Sequence, residues 1–285
     1  MTIRPRRSAL YMPASNRRAI EKARSLPCDV VILDLEDAVA ADVKEEARAN
    51  AIAAIAAGGF GGRELVIRVN ALGTPWGAAD LKAAARSGAD AILAPKVGDP
   101  ATVREYHAAM APAPATMGLW AMVETCRAIA RLDAIAEAMA ARPGAFVLGT
   151  NDLAKEMGAR LTVERTPFLG MMALAVAAAK GHGLGILDGV YNGFEDDAGL
   201  DRQCGEARIY GFDGKTLIHP RQIEIANRAF SPSDEEIAWA RAALAAFEDP
   251  ANAAKGAVRV GGEMVERLHL DAARKILANV TDRAS

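Results

Sequence analysis

The chain of 285 residues has few aromatics, 5% of the total, with only three cysteines and four histidines. Cys28, Cys126 and Cys204 stand far apart without Cys-x-x-Cys spacing, which excludes a disulfide framework and a cysteine metal site and leaves three reduced, buried thiols as the expectation. An excess of one charge is missing too. Lys and Arg number 34 against 36 Asp and Glu, a formal net charge of -2, and no basic block stands out, so the electrostatic footprint of a nucleic-acid binder is absent. No apolar run approaches the roughly 18 residues that would cross a bilayer, and the basic start, with Arg4, Arg6 and Arg7, leads into too short an apolar run for a secretory signal. A composition 51% hydrophobic and 25% charged is not that of a disordered chain. The expectation is a soluble cytoplasmic protein with neither nucleic acid nor membrane among its partners.

What is present is alternation. Eight short apolar runs, at residues 8–12, 30–35, 65–69, 91–94, 118–123, 145–148, 184–187 and 215–218, are bounded by Gly, Pro or charge and separated by longer Ala-rich stretches. Stretches such as 42–57 and 128–141 carry their apolar residues mainly on one helical stripe, the pattern of βα units around a parallel sheet. Eight units favour a closed (βα)8 TIM barrel over an open doubly wound sheet. Ala14-Ser15-Asn16 also stands where a dinucleotide fold would place its glycine-rich turn. Barrels typically take about 250 residues or fewer, so we expect a catalytic barrel over residues 1–225 and a C-terminal helix and lid segment over 226–285. Ser233-Asp234-Glu235-Glu236 reads as a capping box opening a helix to about residue 247. Two short strands at 256–260 and 263–265, around Gly261-Gly262, precede a last helix from about Leu270.

In such a barrel the chemistry lies where strands end and βα loops begin. The end of the second run gives Asp34-Leu35-Glu36-Asp37, the third delivers Arg68 and Asn70, and the fourth delivers Lys96. Glu124 and Thr125 follow the fifth, Thr150, Asn151 and Asp152 the sixth, and Asp188 the seventh, while Asp213, Lys215 and His219 flank the eighth. Taken singly, Asp42, Asp99 and Asp152 read as helix caps. A ring of polar residues at one mouth reads differently, because Glu36, Arg68, Lys96 and Glu124 directly follow apolar strands and would each need a buried partner in a purely structural role. Oxygen ligands without His or Cys suit a hard cation such as Mg2+, and Glu124 with Asp152, on neighbouring strands, form the best pair. The competing reading makes the same two carboxylates partners of Arg68 and Lys96 in an ion network. Arg68 offers a rigid fork for a carboxylate or a developing enolate oxygen, whereas Lys96 is a point charge. His219 could touch a ligand or serve acid–base work, or it could be a structural histidine before Pro220. No Ser/His/Asp arrangement or GxSxG elbow is visible.

These residues resemble a known family. Arg7-Ser8-Ala9-Leu10-Tyr11-Met12-Pro13 followed by Arg17 and Lys22, Leu33-Asp34-Leu35-Glu36-Asp37-Ala38-Val39, Ile67-Arg68-Val69-Asn70, Pro95-Lys96, Val123-Glu124-Thr125, Gly211-Phe212-Asp213-Gly214-Lys215 and Ile218-His219-Pro220 are similar, in order, to the HpcH/HpaI aldolase and citrate lyase β-subunit family. The resemblance implies a barrel of the phosphoenolpyruvate-binding type with a C-terminal helical lid, and a Mg2+-dependent CoA-ester lyase. Its substrate would be a 3-hydroxyacyl-CoA such as malyl-CoA, β-methylmalyl-CoA or citramalyl-CoA, cleaved to an acyl-CoA and glyoxylate or pyruvate.

Gly149-Thr150-Asn151-Asp152-Leu153-Ala154-Lys155 and Asp188-Gly189-Val190-Tyr191-Asn192 lean toward the branch that hydrolyses (3S)-malyl-CoA to malate and CoA. A non-catalytic citrate lyase β-like subunit is the third reading. The resemblance further implies Mg2+ on Glu124 and Asp152, with Glu36 and Asp37 holding metal-bound water. It places Arg68 on the substrate, with Lys96 as an added substrate contact, and Arg17, Lys22 and His219 toward CoA. A homotrimer or homohexamer is implied, its lid reaching a neighbouring subunit. Two departures stand out. Ala14 replaces a usual glycine, and Met264-Val265-Glu266 occupies the place where lyase relatives present an aspartate. Glu266 is therefore the first candidate acid or base and Asp37 the second.

Overall fold

The computed structural model describes residues 4–252 and 255–281. They divide into two compact units, one spanning Arg6–Phe230 and the other joining Arg4 and Pro5 to the residues from Ser231 onward.

In the first unit eight parallel strands close in sequence order into a barrel. They are β1 (Ser8–Pro13), β2 (Val30–Asp34), β3 (Glu64–Arg68), β4 (Ala91–Ala94), β5 (Gly118–Val123), β6 (Gly144–Leu148), β7 (Gly185–Asp188) and β8 (Gly214–Leu217), with β8 pairing back onto β1. The helices between and after them are α1 (Arg17–Ala23), α2 (Lys44–Ala57), α3 (Gly77–Ala84), α4 (Pro100–Ala109), α5 (Cys126–Ile129), α6 (Leu132–Met139), α7 (Thr150–Met157), α8 (Leu169–Gly181), α9 (Asp197–Tyr210) and α10 (Gln222–Phe230). No described helix is long and apolar enough to cross a membrane.

The strand runs are buried on both faces because helices cover the barrel outside and side chains fill it inside. Alternation along each strand sorts them. Ala9, Val30, Ile32, Val66, Leu93, Trp120, Met122, Val147 and Leu187 form the interior cluster, while Leu10, Val31, Leu33, Ile67, Ile92, Leu119, Phe146 and Ile186 pack against the helices. This parity has a direct consequence. Asp34, Arg68 and Glu124 continue the inward-facing series of β2, β3 and β5, whereas Asp188 and Lys215 continue the outward-facing series of β7 and β8.

Two helix expectations change. Asp42 is not a cap: a short 3-10 turn, Ala41–Val43, precedes α2. The single helix expected over 128–141 is two, because the Thr125 hydroxyl accepts from the Ala128 N–H and starts α5 early, and the backbone opens at Arg131, with φ -136°. Asp99 does cap α4, accepting from the Thr102 N–H. Cys28 and Cys204 are buried, Cys126 is half-buried, and all three are free thiols. Burial pushes the Cys28 and Cys204 thiols up to about 11.

Behind β7 and β8 lies a buried ion network. Arg165 Nη1 lies 2.7 and 2.8 Å from the two Asp188 oxygens, Lys215 Nζ donates to Asp188 Oδ2 and the Gly189 carbonyl, and Arg165 Nε donates to Glu206. Arg165 is held at φ 49°, a left-handed conformation rare for arginine. Asp188 and Lys215 thus belong to the wall and not to the mouth.

The second unit contains α11 (Asp234–Glu248), opened by the expected capping box with Ser233 and Glu236, then an antiparallel hairpin of β9 (Ala257–Val260) and β10 (Glu263–Glu266), and α12 (His269–Thr281). Gly261 and Gly262 turn the hairpin with φ 57° and 94°, a geometry that favours glycine at both positions. Ala240, Ala243, Val258, Val260, Val265 and Ala273 form this unit's own small core.

Lys215→Met would strip Asp188 of one of its two buried cationic partners, and removing one member of a buried ion pair costs about 3–5 kcal/mol. Urea denaturation at neutral pH should show that loss. Burial raises the Asp188 pKa, but Lys215 and Arg165 outweigh it and hold the carboxyl below its usual range. Its contribution is therefore fully present above the unfolded carboxylate pKa of about 3.9 and fades as pH falls through the depressed folded value.

Candidate active site

The carboxyl-terminal mouth of the barrel is built on the inward parity of its strands. Asp34 and Arg68 are register partners on β2 and β3, so the guanidinium meets the carboxylate side by side. Nε donates to Oδ1 at 2.6 Å and Nη2 to Oδ2 at 2.7 Å, a bidentate pair with Asp34 fully buried. Arg68 also stacks over Tyr11, 4.7 Å from the ring centroid. Burial works against its charge, but Tyr11, Asp34 and Glu36 more than compensate and push its pKa above the ordinary value.

Two groups remain for the outer edge of Arg68. Nη1 lies 3.0 Å from Glu36 Oε2 and 3.5 Å from Asp37 Oδ2. The Glu36 contact is an ion pair without an aligned N–H, so Glu36 Oε2 is buried and accepts no hydrogen bond. The Asp34 side chain accepts from the Glu36 and Ala38 amides, and Lys44 Nζ donates to the Leu35 and Glu36 carbonyls, fixing the β2 loop. Burial raises the Glu36 pKa to about 8 despite Arg68.

Glu124 and Asp152 come together through Lys96. The Lys96 backbone N–H donates to Glu124 Oε1 at 2.7 Å, while its Nζ lies 3.4 Å from the same oxygen and 2.7 Å from Asp152 Oδ2. Lys96 adopts φ 52°, the only described non-glycine residue besides Arg165 with positive φ. Asp152 is the third residue of α7, whose N-cap is Gly149, and it reaches Lys96 instead of capping the helix. Glu124 is almost wholly buried, its Oε2 accepts no hydrogen bond, and burial raises its pKa to about 7 against the pull of Lys96. Burial also raises the Asp152 pKa, but Lys96 outweighs it and the net shift is downward.

The mouth thus gathers Glu36, Asp37, Arg68, Lys96, Glu124 and Asp152. Other sequence candidates lie elsewhere. Arg17 begins α1 and donates to Asn50, but Lys22 sits in the last turn of that helix, which runs back toward the amino-terminal end of the barrel. His219 follows β8, stacks on Phe194 with centroids 5.4 Å apart and accepts the Arg221 N–H at Nδ1. Asp213 precedes β8 and accepts the Ile186 N–H, so it marks the opposite end of the barrel. Thr125 is a helix cap. Glu266 closes β10 in the other unit, where its N–H donates to His269. Sequence reasoning missed Tyr11 and the role of Asp34, although both share the inward parity of neighbouring apolar residues, a signal that was readable. Arg165 lies in an aperiodic loop and carried none.

Both readings of the carboxylate pair find support in the geometry. Lys96 forms the ion network, while the unpartnered Glu124 Oε2, with oxygen donors alone, fits a hard cation. Among the described residues no three His, Cys, Asp or Glu converge, so the protein would supply two carboxylates and leave the other positions to water and substrate, as Mg2+ commonly accepts. Gly149 makes room for Glu124: a Cβ there would lie 2.5 Å from Glu124 Cβ and 2.9 Å from Oε2. Gly149→Ala should therefore displace Glu124 and lower stability by about 1–3 kcal/mol, read as a reduced urea midpoint at unchanged m-value.

Residues 7–220 match the family described as HpcH/HpaI aldolase/citrate lyase. The chain is 47% identical over 274 residues to a (3S)-malyl-CoA thioesterase of Cereibacter sphaeroides, covering 96% of this chain and 94% of that protein. It is 33% identical over 277 residues to the mitochondrial citramalyl-CoA lyase of Homo sapiens, covering 92% and 82%. A crystal structure of CitE from Mycobacterium tuberculosis in complex with magnesium, acetoacetate and coenzyme A is similar with a TM-score of 0.77 at 31% identity, covering 97% of this chain and 98% of that one. The chain belongs to the HpcH/HpaI aldolase/citrate lyase family, whose relatives here are CoA-ester lyases and thioesterases.

Proposed function

We propose that this enzyme hydrolyses (3S)-malyl-CoA to malate and CoA with Mg2+ held by Glu124 and Asp152. The mouth geometry supports a thioester substrate, because Arg68 is immobilised with one edge turned to Glu36 and Asp37, ready to meet a developing oxyanion. The observation that favours hydrolysis is the 47% identity to the malyl-CoA thioesterase across nearly the full length of both chains. Carbon–carbon cleavage to acetyl-CoA and glyoxylate is the second reading, favoured by the 33% identity to citramalyl-CoA lyase.

When bound, Mg2+ would polarise a substrate oxygen as a Lewis acid. Everything else falls to the chain's own groups. Arg68, clamped by Asp34, holds negative charge on the thioester oxygen without reorganising. Lys96 adds a positive charge at the mouth, available to an anionic substrate. Asp37, exposed beside Arg68, and Glu266, exposed on the hairpin, are the candidate acid–base groups. In hydrolysis the base takes a proton from water as its oxygen bonds to the acyl carbon, the C–S bond breaks and CoA leaves as thiol or thiolate. In the lyase reading the base takes the 3-hydroxyl proton as the C–C bond breaks, and an acid returns a proton to the acetyl-CoA enolate. The longer glutamate at position 266, where the family resemblance implies an aspartate in lyases, suits the first reading: a carboxylate displaced by about an ångström can lose its alignment with the α-carbon. Arg17 and His219 are proposed to meet CoA, and a trimer or hexamer to bring lid and mouth of different subunits together.

Incubating (3S)-malyl-CoA with enzyme and Mg2+, and measuring free CoA, acetyl-CoA and glyoxylate separately, tests the proposal. CoA without glyoxylate is expected, EDTA should abolish it, and equimolar acetyl-CoA and glyoxylate would overturn hydrolysis in favour of cleavage. Arg68→Lys keeps a cation beside Asp34 but loses the fork, and should lower turnover by about 100- to 1,000-fold, the loss seen when an oxyanion donor is removed.

A further inference from the structure

The ammonium of Lys96 stands where the two proposed metal ligands converge. Its Nζ touches both carboxylates, at 2.7 Å from Asp152 and 3.4 Å from Glu124, while its own N–H anchors Glu124 from the backbone side. A buried carboxylate with an unpartnered oxygen is costly unless a cation stands near it. Lys96 is that cation for the metal-free protein. Its side chain is about one-third exposed, so solvent gives it a path outward, and its left-handed backbone keeps the amide on Glu124 wherever the ammonium goes.

We propose that Lys96 is an internal counter-cation that a divalent metal displaces: it occupies the carboxylate pair in the metal-free enzyme and swings out when the metal takes the same two carboxylates. The inference rests on the reading of Glu124 and Asp152 as metal ligands and adds a competitor to it. A divalent ion held by the same two carboxylates would meet strong like-charge repulsion from the ammonium that already touches both. The exchange has two effects. Lys96 keeps the two carboxylates from repelling each other before the metal arrives, which preserves the site at the expense of metal affinity. Afterwards the mouth gains net positive charge, and the freed ammonium is available to an anionic substrate that binds after the metal.

The test is Mn2+ binding, followed by the electron-paramagnetic signal of the free ion, together with thermal melting with and without metal. Lys96→Met removes the charge and keeps the length. Lys96→Asn removes the charge with a shorter side chain, in a residue that tolerates the left-handed conformation, in case the methionine variant misfolds. Lys96→Arg keeps a charge. Both neutral variants are expected to bind Mn2+ about two- to fivefold more tightly than the wild type, the range of a partly exposed ion pair. They should melt lower than the wild type without metal and gain more on its addition, while the arginine variant stays near wild-type affinity. Wild-type binding with unchanged or weaker affinity in both neutral variants would overturn the displacement alone. No Mn2+ binding by any of the proteins would overturn the metal reading and the displacement together.

Discussion

The bidentate clasp between Arg68 and Asp34 is the contact on which the mouth of this barrel depends. It joins adjacent strands in register, so the pairing of β2 with β3 sets the two side chains beside each other. It also decides what Arg68 can do. Two of its nitrogens are committed to Asp34 and its face rests on Tyr11, which leaves Nη1 aimed at Glu36 and Asp37. A free arginine would cost conformational entropy on meeting a substrate anion; this one has lost that freedom on folding. The Asp34 carboxylate in turn accepts the Glu36 and Ala38 amides, so the same pair shapes the loop that carries Glu36 and Asp37. Charge, loop and strand register form a single unit.

The fold was legible because its signal is repetitive. Each strand run is buried on both faces, so even the four-residue β4 stands out as an apolar block, and all eight observed strands lie within about a residue of the expected runs. The mouth residues Glu36, Arg68, Lys96 and Glu124 were legible for a related reason: a charge directly after a buried run must point somewhere special. What failed was parity. Asp188 and Lys215 also follow or lie in apolar runs, yet a shift of one residue along the strand turns a side chain from the interior to the helix layer. Arg165, their partner across more than twenty residues, lies in a loop with no period to betray it. The helix expected over 128–141 failed differently, since nothing in its apolar stripe marks the backbone break at Arg131.

That step of one residue separates two kinds of buried charge in the same barrel. Burial pushes Asp188, Glu36 and Glu124 in the same direction, toward protonation, yet Asp188 ends below its ordinary pKa and the two glutamates end above theirs. The difference lies in the partners. Asp188 has both oxygens engaged by Arg165, Lys215 and the Gly189 amide. Glu36 and Glu124 each keep one oxygen without a hydrogen bond.

A fully partnered buried carboxylate is a structural tie with nothing left to offer, and a half-partnered one stores unspent acceptor capacity. Among the described residues the buried carboxylates of the second kind, Glu36 and Glu124, stand at the mouth. There Asp37 is exposed and Lys96 and Asp152 are about one-third exposed, so solvent reaches the edge of the group that holds the buried glutamates. The wall network contributes indirectly. Lys215 holds the Gly189 carbonyl, and the loop that follows brings Asn192 into paired hydrogen bonds with Asn151, one residue before Asp152. The satisfied charges behind the wall therefore help fix the position of the unsatisfied ones at the mouth.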